Sequence, residues 1–229
     1  MDREARRVER VGSRRARPVR VVLASDRTPL VLRRRGDVVE ILSGSVVLLS
    51  SAALETELAF GRLVRDLVQT PRRVLVGGLG FGATVRGALE AVGPSGRVTV
   101  VERVPGVVDL VRGELASLAG HVLDDARVTV EVSDVGDVIR AGDGVFDAIL
   151  LDVDNGPEWA SFRSNARLYT PAGLAEARCA LASGGALAVW SGYPSDAFMP
   201  RLRAAGFQPR RILLRERGRV RARAYAGLR

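Results

Sequence analysis

Two aspartates, two residues apart, follow an apolar segment in the sequence FDAILLDVDNGP. In an extended segment, the side chains of Asp152 and Asp154 project to the same side of the chain. Two carboxylates held close together repel each other, so one of them can have a raised pKa and accept a proton near neutral pH. The pair therefore predicts general-base chemistry. A metal site is the minor alternative, because the single histidine, His121, lies in a different segment.

A glycine-rich turn stands between an apolar run and a helical pattern in VLVGGLGFGATVRGAL. Glycine at positions 78, 80 and 82 permits a tight turn and lets the backbone approach a ligand closely. This G-x-G-x-G spacing is tighter than the G-x-G-x-x-G fingerprint, whose helix N-terminus receives a pyrophosphate. The spacing favours a sulfonium nucleoside, which has no phosphate, and the alternative interpretation is a plain strand-to-helix turn.

Two further acids follow later strand-like segments, in the order that a nucleoside site requires. Glu102 ends RVTVVE, and a carboxylate there can accept both ribose hydroxyls. Asp134 follows RVTVEV, where a carboxylate or backbone group can accept a hydrogen bond from an adenine amino group. Each acid alone is more often a loop residue, but three features at successive strand ends are hard to obtain by accident. We therefore predict five nucleoside-binding residues: Gly78, Gly80, Gly82, Glu102 and Asp134.

The elements that must position these residues alternate regularly along the chain. From residue 72 onward, short apolar runs typical of buried strands are interleaved with helical patterns. Such alternation predicts an α/β fold of the Rossmann type, with a mostly parallel sheet covered by helices on both faces. Two arginine-containing runs, at 209–217 and 220–225, are expected to form an antiparallel edge pair.

Three regions are predicted along the chain. Residues 1–17 are charged and nearly free of large apolar side chains, so they are expected to form a disordered basic arm. Residues 18–50 hold short runs rich in Val, Leu and Ile between polar turns, which predicts a small N-terminal antiparallel β-sheet. Residues 51–229 are predicted to be the Rossmann-like nucleoside-binding domain, beginning with a helix over residues 52–68.

The net charge of +9 is unevenly distributed. Residues 1–36 hold 12 arginines against 4 acids and residues 201–229 hold 10 against 1, so the segment between them is net negative. A basic arm can bind nucleic acid. However, all 35 basic residues are arginine, which indicates a bias along the whole chain and disfavours nucleic-acid binding. No apolar stretch approaches the roughly 20 residues of a membrane helix, and no secretory signal is recognised, so a cytoplasmic location is expected.

With these motifs in this order, the chain resembles the spermidine synthase family of polyamine aminopropyltransferases, in particular its shorter bacterial relatives. The resemblance covers roughly residues 19–207, and it is carried by the glycine turn, VTVVE, FDAILLDVDNGP, the Leu168-Tyr169 pair and GGALAVWS. It implies an S-adenosylmethionine-dependent transferase fold, a homodimer and no metal. It also implies transfer of an aminopropyl group from decarboxylated S-adenosylmethionine, as co-substrate, to a small amine.

The resemblance also implies roles for individual residues. Asp152 matches the catalytic aspartate, whereas Asp154, Glu57 and Tyr169 match the substrate site. Phe81 stands where the family's synthases carry an aspartate that grips the donor's amino group, and the Tyr-His-Glu acceptor motif is reduced to Glu57. These departures leave two alternatives: a methyltransferase that uses S-adenosylmethionine itself, and a catalytically silent relative that binds a nucleoside or nucleic acid.

Overall fold

The computed structural model describes four stretches of the chain: residues 21–23, 30–43, 46–158 and 165–229. The chain divides into two compact units, residues 1–52 and residues 53–229. This division lies close to the predicted boundary between residues 50 and 51. The basic arm expected over residues 1–17 lies outside the described residues.

The first unit contains a small antiparallel sheet. Its strands are β1 (Val21–Leu23), β2 (Leu30–Arg35), β3 (Val38–Ser43) and β4 (Val46–Ser50), paired in that order. Leu32 and Ile41 lie opposite each other on β2 and β3 and are buried. The next pair, Arg33 and Glu40, points to the other face and forms an ion pair of 2.7 Å between Nε and Oε2. The predicted N-terminal sheet is confirmed.

The second unit is built on a seven-stranded sheet. Its strands are β5 (Arg73–Gly77), β6 (Arg97–Glu102), β7 (Val128–Val132), β8 (Phe146–Leu151), β9 (Leu181–Ser191), β10 (Gln208–Glu216) and β11 (Arg219–Leu228). The order across the sheet is β7-β6-β5-β8-β9-β11-β10. The first five are parallel, whereas β11 is antiparallel to β9 and to the edge strand β10. The predicted α/β fold and its antiparallel edge pair are confirmed.

Helices connect these strands. They are α1 (Leu54–Arg62), α2 (Val64–Leu67), α3 (Ala83–Ala91), α4 (Pro105–Arg112), α5 (Ala116–Ala119), α6 (Val135–Ala141), α7 (Pro171–Ala180) and α8 (Phe198–Ala204). The helix predicted over residues 52–68 is divided at Leu63, and α6 was not predicted at all. Within the described part of the chain, no helix is both long and apolar enough to cross a membrane.

The helices form two layers. Helices α6, α7 and α8 cover one face of the sheet around a core that includes Leu75, Leu151 and Val189, each at most 1% exposed. Successive strand residues point to opposite faces, so the buried Val76 and Leu150 face the other layer. That layer contains α1 and α3, which pack against each other.

Helices α1 and α3 pack backbone against backbone where they cross, because both carry a glycine there. A Cβ atom on Gly61 would overlap the carbonyl oxygen of Thr84, and one on Gly87 would overlap the carbonyl oxygen of Leu58. A residue with a side chain at either position would force the helices apart. The crossing therefore brings Glu57, on α1, next to the first turn of α3.

Strand order reverses between β5 and β8. The chain leaves β5 toward β6 on one side and returns through β8 on the other. Loops diverge at such a point and leave a crevice at the carboxyl ends of the strands, where open α/β sheets bind ligands. Gly77 pairs with Leu151 there, and the N–H of Asp152 donates to the carbonyl of Gly77 at 2.8 Å. The glycine turn and Asp152 therefore lie side by side.

Candidate functional site

The glycine turn links β5 to α3 through three left-handed residues. The φ angles of Gly78, Gly80 and Gly82 are 88°, 53° and 81°. Residues with a side chain rarely adopt this region. In addition, a Cβ atom on Gly78 would overlap the carbonyl oxygen of Asp152. The turn therefore packs backbone against backbone on the segment that follows β8.

Glu102 closes the glycine turn from the end of β6. Its Oε2 accepts a hydrogen bond from the N–H of Leu79 at 3.0 Å, and its Oε1 accepts one from the N–H of Val104 at 2.8 Å. Burial raises the pKa of Glu102. Hydrogen bonds from the backbone N–H groups of Leu79, Val104 and Arg103 oppose this rise. Because each carboxylate oxygen has a further lone pair, Glu102 can still accept hydrogen bonds from two neighbouring hydroxyls.

Asp134 lies at the end of β7, and protein groups engage its carboxylate. Its Oδ1 accepts a hydrogen bond from the N–H of Gly136 at 2.9 Å and lies 3.0 Å from Nη2 of Arg167. Its Oδ2 lies 3.9 Å from Arg103. Asp134 is thus the N-cap of α6. The carbonyl oxygen of Asp134 also has partners, because it accepts from the N–H groups of Asp137 and Val138 at 2.9 and 3.4 Å. Of the acceptors predicted here for an adenine amino group, Oδ2 therefore has the weakest competing contact.

Asp152 follows β8 directly and contacts α3. Its Oδ2 accepts a hydrogen bond from Oγ1 of Thr84 at 2.5 Å. Desolvation by the surrounding protein raises the pKa of Asp152 to about 6, and the Thr84 hydroxyl opposes this rise. The predicted base therefore has a pKa suited to accepting a proton near neutral pH.

Glu57 supplies a second carboxylate beside Asp152. Desolvation raises its pKa well above the usual value, and the negative charge of Asp152 raises it further. Its own carbonyl oxygen lies 3.3 Å from the Thr84 hydroxyl, which ties this turn of α1 to α3. Glu57, brought from a distant part of the sequence, therefore interacts electrostatically with Asp152.

Asp154 has different partners from Asp152. Its Oδ1 accepts a hydrogen bond from Nδ2 of Asn165 at 3.1 Å, and its Oδ2 accepts one from the hydroxyl of Tyr169 at 3.3 Å. Both partners belong to the 3-10 helix Asn165–Tyr169, and all three side chains are buried. Burial, and then the charge of Asp154, raise the pKa of Tyr169 well above its usual value. This cluster fixes the segment after β8 against the 3-10 helix.

Asp154→Ala is expected to lower the free energy of unfolding by about 1–3 kcal/mol, because it leaves two buried donors without this acceptor. Urea denaturation monitored by circular dichroism measures the loss. The matched control is Asp143→Ala, which truncates an exposed aspartate. If both variants lose the same stability, the Asp154 cluster is not a structural element.

The sequence did not single out Thr84 or Asn165. Thr84 is the one polar residue in the first turn of α3, A-T-V. A single hydroxyl between two apolar residues at that place could have indicated a residue of the site. Asn165 has no comparable feature in the sequence.

Phe81 is 1% exposed, so the glycine turn offers no carboxylate at that position. Among the residues that the structure describes, no cluster of three or more His, Cys, Asp and Glu side chains could hold a metal ion.

Comparison with curated proteins gives a partial match in sequence. No protein-family model matches the chain. A curated polyamine aminopropyltransferase of Korarchaeum cryptofilum is 26% identical over 124 residues. The match covers 54% of this chain and 36% of that relative, so the chain spans little more than a third of the relative's length.

Solved structures match over almost the whole chain. A spermidine synthase in complex with the transition-state analogue AdoDATO has a TM-score of 0.72 at 17% identity, covering 93% of this chain and 72% of its own. The spermidine synthase of Thermotoga maritima gives 0.73 at 18%, with the same coverage. A probable spermidine synthase of Corynebacterium glutamicum gives 0.60 at 18%, covering 92% and 80%. The chain therefore has the fold of the spermidine synthases.

Proposed function

We propose that this protein transfers an aminopropyl group from decarboxylated S-adenosylmethionine to a small amine. The observation that carries the proposal is the pair of carboxylates, Asp152 and Glu57, beside the glycine turn. An amine is protonated at neutral pH and cannot attack before it loses a proton. A carboxylate pair attracts the ammonium ion, and an ionised carboxylate of suitable pKa accepts its proton.

The nucleoside end of the donor is assigned to the carboxyl ends of β5, β6 and β7. The backbone of Gly78, Gly80 and Gly82 lines the approach, and Glu102 accepts the ribose hydroxyls with its unused lone pairs. At Asp134, the carboxylate oxygen Oδ2, whose contact with Arg103 is long at 3.9 Å, accepts the adenine amino group. These groups fit a sulfonium nucleoside, because each of them is a carboxylate or a backbone group and none of them carries the positive charge that favours a phosphate.

In the transfer step, the amine nitrogen bonds to the propyl carbon that is attached to sulfur. The carbon–sulfur bond breaks, and methylthioadenosine leaves with the bonding electrons. Asp152 takes the amine proton. Glu57 holds the ammonium group before that transfer, because a cation bound beside this carboxyl group lowers its raised pKa and favours the ionised form. Tyr169 and Asp154 shape the far side of the amine site. The charge of Asp152 contributes to the raised pKa of Tyr169, which supports a position of this phenol near the base.

Phe81 favours a second candidate, methyl transfer from S-adenosylmethionine. By the resemblance, a synthase would hold the donor's amino group with an aspartate at this position, and the buried Phe81 cannot do so. Calorimetric titration with both donors separates the candidates. We expect tighter binding of the decarboxylated donor, and release of methylthioadenosine in the presence of a panel of small amines. Preference for S-adenosylmethionine, or no release where a control synthase shows it, would overturn the proposal.

The expected homodimer and the cytoplasmic location stay predictions. Size-exclusion chromatography with light scattering measures the oligomeric state of the full chain directly.

Turnover is expected to decline as the pH falls through about 6. Asp152 must be ionised to accept a proton, and its raised pKa of about 6 means that the base is lost at a higher pH than for an ordinary aspartate. Below that point kcat should fall about tenfold for each pH unit. The measurement is kcat from pH 5 to 9 at saturating donor and amine, because saturation removes the titration of the free amine. A flat profile from pH 5 to 8 would contradict Asp152 as the base.

A further inference from the structure

Thr84 connects three elements of the candidate site. It lies in the first turn of α3, and its hydroxyl lies 2.5 Å from Oδ2 of Asp152 and 3.3 Å from the carbonyl oxygen of Glu57. The side chain is 2% exposed, so water does not compete freely for its hydroxyl. A hydroxyl carries one proton and can donate it to only one of these acceptors at a time.

The Asp152 carboxylate is the acceptor that receives the Thr84 proton. Hydrogen bonds from a hydroxyl to an ionised oxygen are about 2.5–2.7 Å long and roughly twice as strong as neutral ones. The contact with Asp152 has this length, whereas the contact with the carbonyl of Glu57 is long for a hydroxyl donor. The Thr84 hydroxyl therefore stabilises the ionised form of Asp152.

The same bond makes the two oxygens of Asp152 unequal. Oδ2 is held toward α3 by Thr84. Among the described residues, no donor contacts Oδ1, so this oxygen keeps its lone pairs for a proton. We propose that Thr84 is a positioning residue, which holds Asp152 ionised and rotates its Oδ1 to receive the proton of the acceptor amine. The part of this inference that concerns the amine rests on the proposed function. The part that concerns the ionisation of Asp152 does not.

Other titratable groups also face Asp152. Glu57 approaches from α1 and Tyr169 from the 3-10 helix, and each has its pKa raised in part by the charge of Asp152. Thr84 is the uncharged donor from α3. A test must therefore follow the Asp152 carboxyl group itself, because activity alone reports the titration of the whole cluster.

Carbon-13 NMR of protein labelled at the aspartate carboxyl carbons provides that test without turnover. The Asp152 resonance is assigned by its loss in Asp152→Asn, and its titration midpoint is compared among wild type, Thr84→Val and Thr84→Ser. Valine keeps the shape of threonine and removes the hydroxyl, whereas serine keeps the hydroxyl. We expect the midpoint to rise by about one pH unit in Thr84→Val and to stay close to wild type in Thr84→Ser. Thr84→Ala provides the same comparison if the valine variant does not fold.

The kinetic measurement follows the same three proteins. The acid limb of kcat in Thr84→Val should move to higher pH, with a loss of about threefold at pH 6.5 that approaches tenfold near pH 5 and becomes negligible at pH 9. A structural defect would lower kcat equally at both pH values, and serine would not restore it.

The outcomes separate this inference from the proposed function. An unchanged Asp152 midpoint in the hydroxyl-free variant overturns the role of Thr84, whether or not the protein is active. A raised midpoint in a protein that transfers no aminopropyl group supports the effect of Thr84 on Asp152 and overturns the proposed reaction instead.

Discussion

Asp152→Asn is expected to lower kcat for aminopropyl transfer by about 100- to 10,000-fold, the contribution typical of a positioned general base. The amide oxygen can still accept the Thr84 hydroxyl, so the local geometry persists, but the side chain can no longer take a proton. Release of methylthioadenosine at pH 8, with saturating donor and amine, measures the loss. Donor affinity should stay within a few-fold of wild type, because Glu102 and the glycine turn are unchanged.

The control for this variant is Asp143→Asn, an exposed aspartate at which the same chemical change should leave kcat unaltered. The thermal stability of Asp152→Asn provides a second measurement. Since desolvation raises the pKa of Asp152 in the folded protein, its ionisation destabilises the fold as the pH rises from the ordinary value of 3.8 through about 6. Removing that charge should give a Tm at pH 8 equal to or above that of wild type. A wild-type kcat in Asp152→Asn would exclude it as the base.

Gly78→Ala is expected to lower the free energy of unfolding by about 2–4 kcal/mol and to weaken donor binding. The backbone at Gly78 has a φ of 88°, and the added Cβ would overlap the carbonyl oxygen of Asp152. Either the turn or the segment after β8 must move, and both belong to the candidate site. Urea denaturation and calorimetric donor titration measure the two effects.

The matched control is Gly218→Ala, in the turn between β10 and β11. Gly218 has a similar φ of 78°, but a Cβ atom there would have no neighbour within 4 Å. This variant should cost only the conformational penalty, about 1–2 kcal/mol, and leave donor binding unchanged. An equal loss of stability in both variants would mean that the close packing of Gly78 on Asp152 is unimportant.

The parallel sheet could be predicted from the sequence because its central strands are buried and continuously apolar. RVTVVE becomes β6 at the predicted residues, and Glu102 follows from the place where that apolar run ends. Helix α6 could not be predicted in this way. Its seven residues, VGDVIRA, include a glycine and are too few to make the helical i, i+3, i+4 spacing of Val135, Val138 and Ile139 a strong signal, and the helix is capped by Asp134.

The partners of the two aspartates depended on tertiary structure. Spacing alone predicts that Asp152 lies beside Asp154. In the structure, Asp152 accepts a hydrogen bond from Thr84, whereas Asp154 accepts one from Asn165 in the 3-10 helix. Glu57 was expected in the substrate site only through a family resemblance. No local pattern indicates that α1 would bring it to Asp152, because that approach depends on the packing of two helices.

Helices α1 and α3 cross at Gly61 and Gly87. The distance between the carboxylates of Glu57 and Asp152 therefore depends on how closely these helices pack. Asp152 is anchored to the sheet, whereas Glu57 moves with α1. One methyl group added at either glycine would shift Glu57 outward and change no side chain of the site. Amines of different length require different separations between the base and the ammonium-binding carboxylate. Under the proposed function, substitution at either glycine would therefore change the length of amine that the site accepts, although neither glycine belongs to the site.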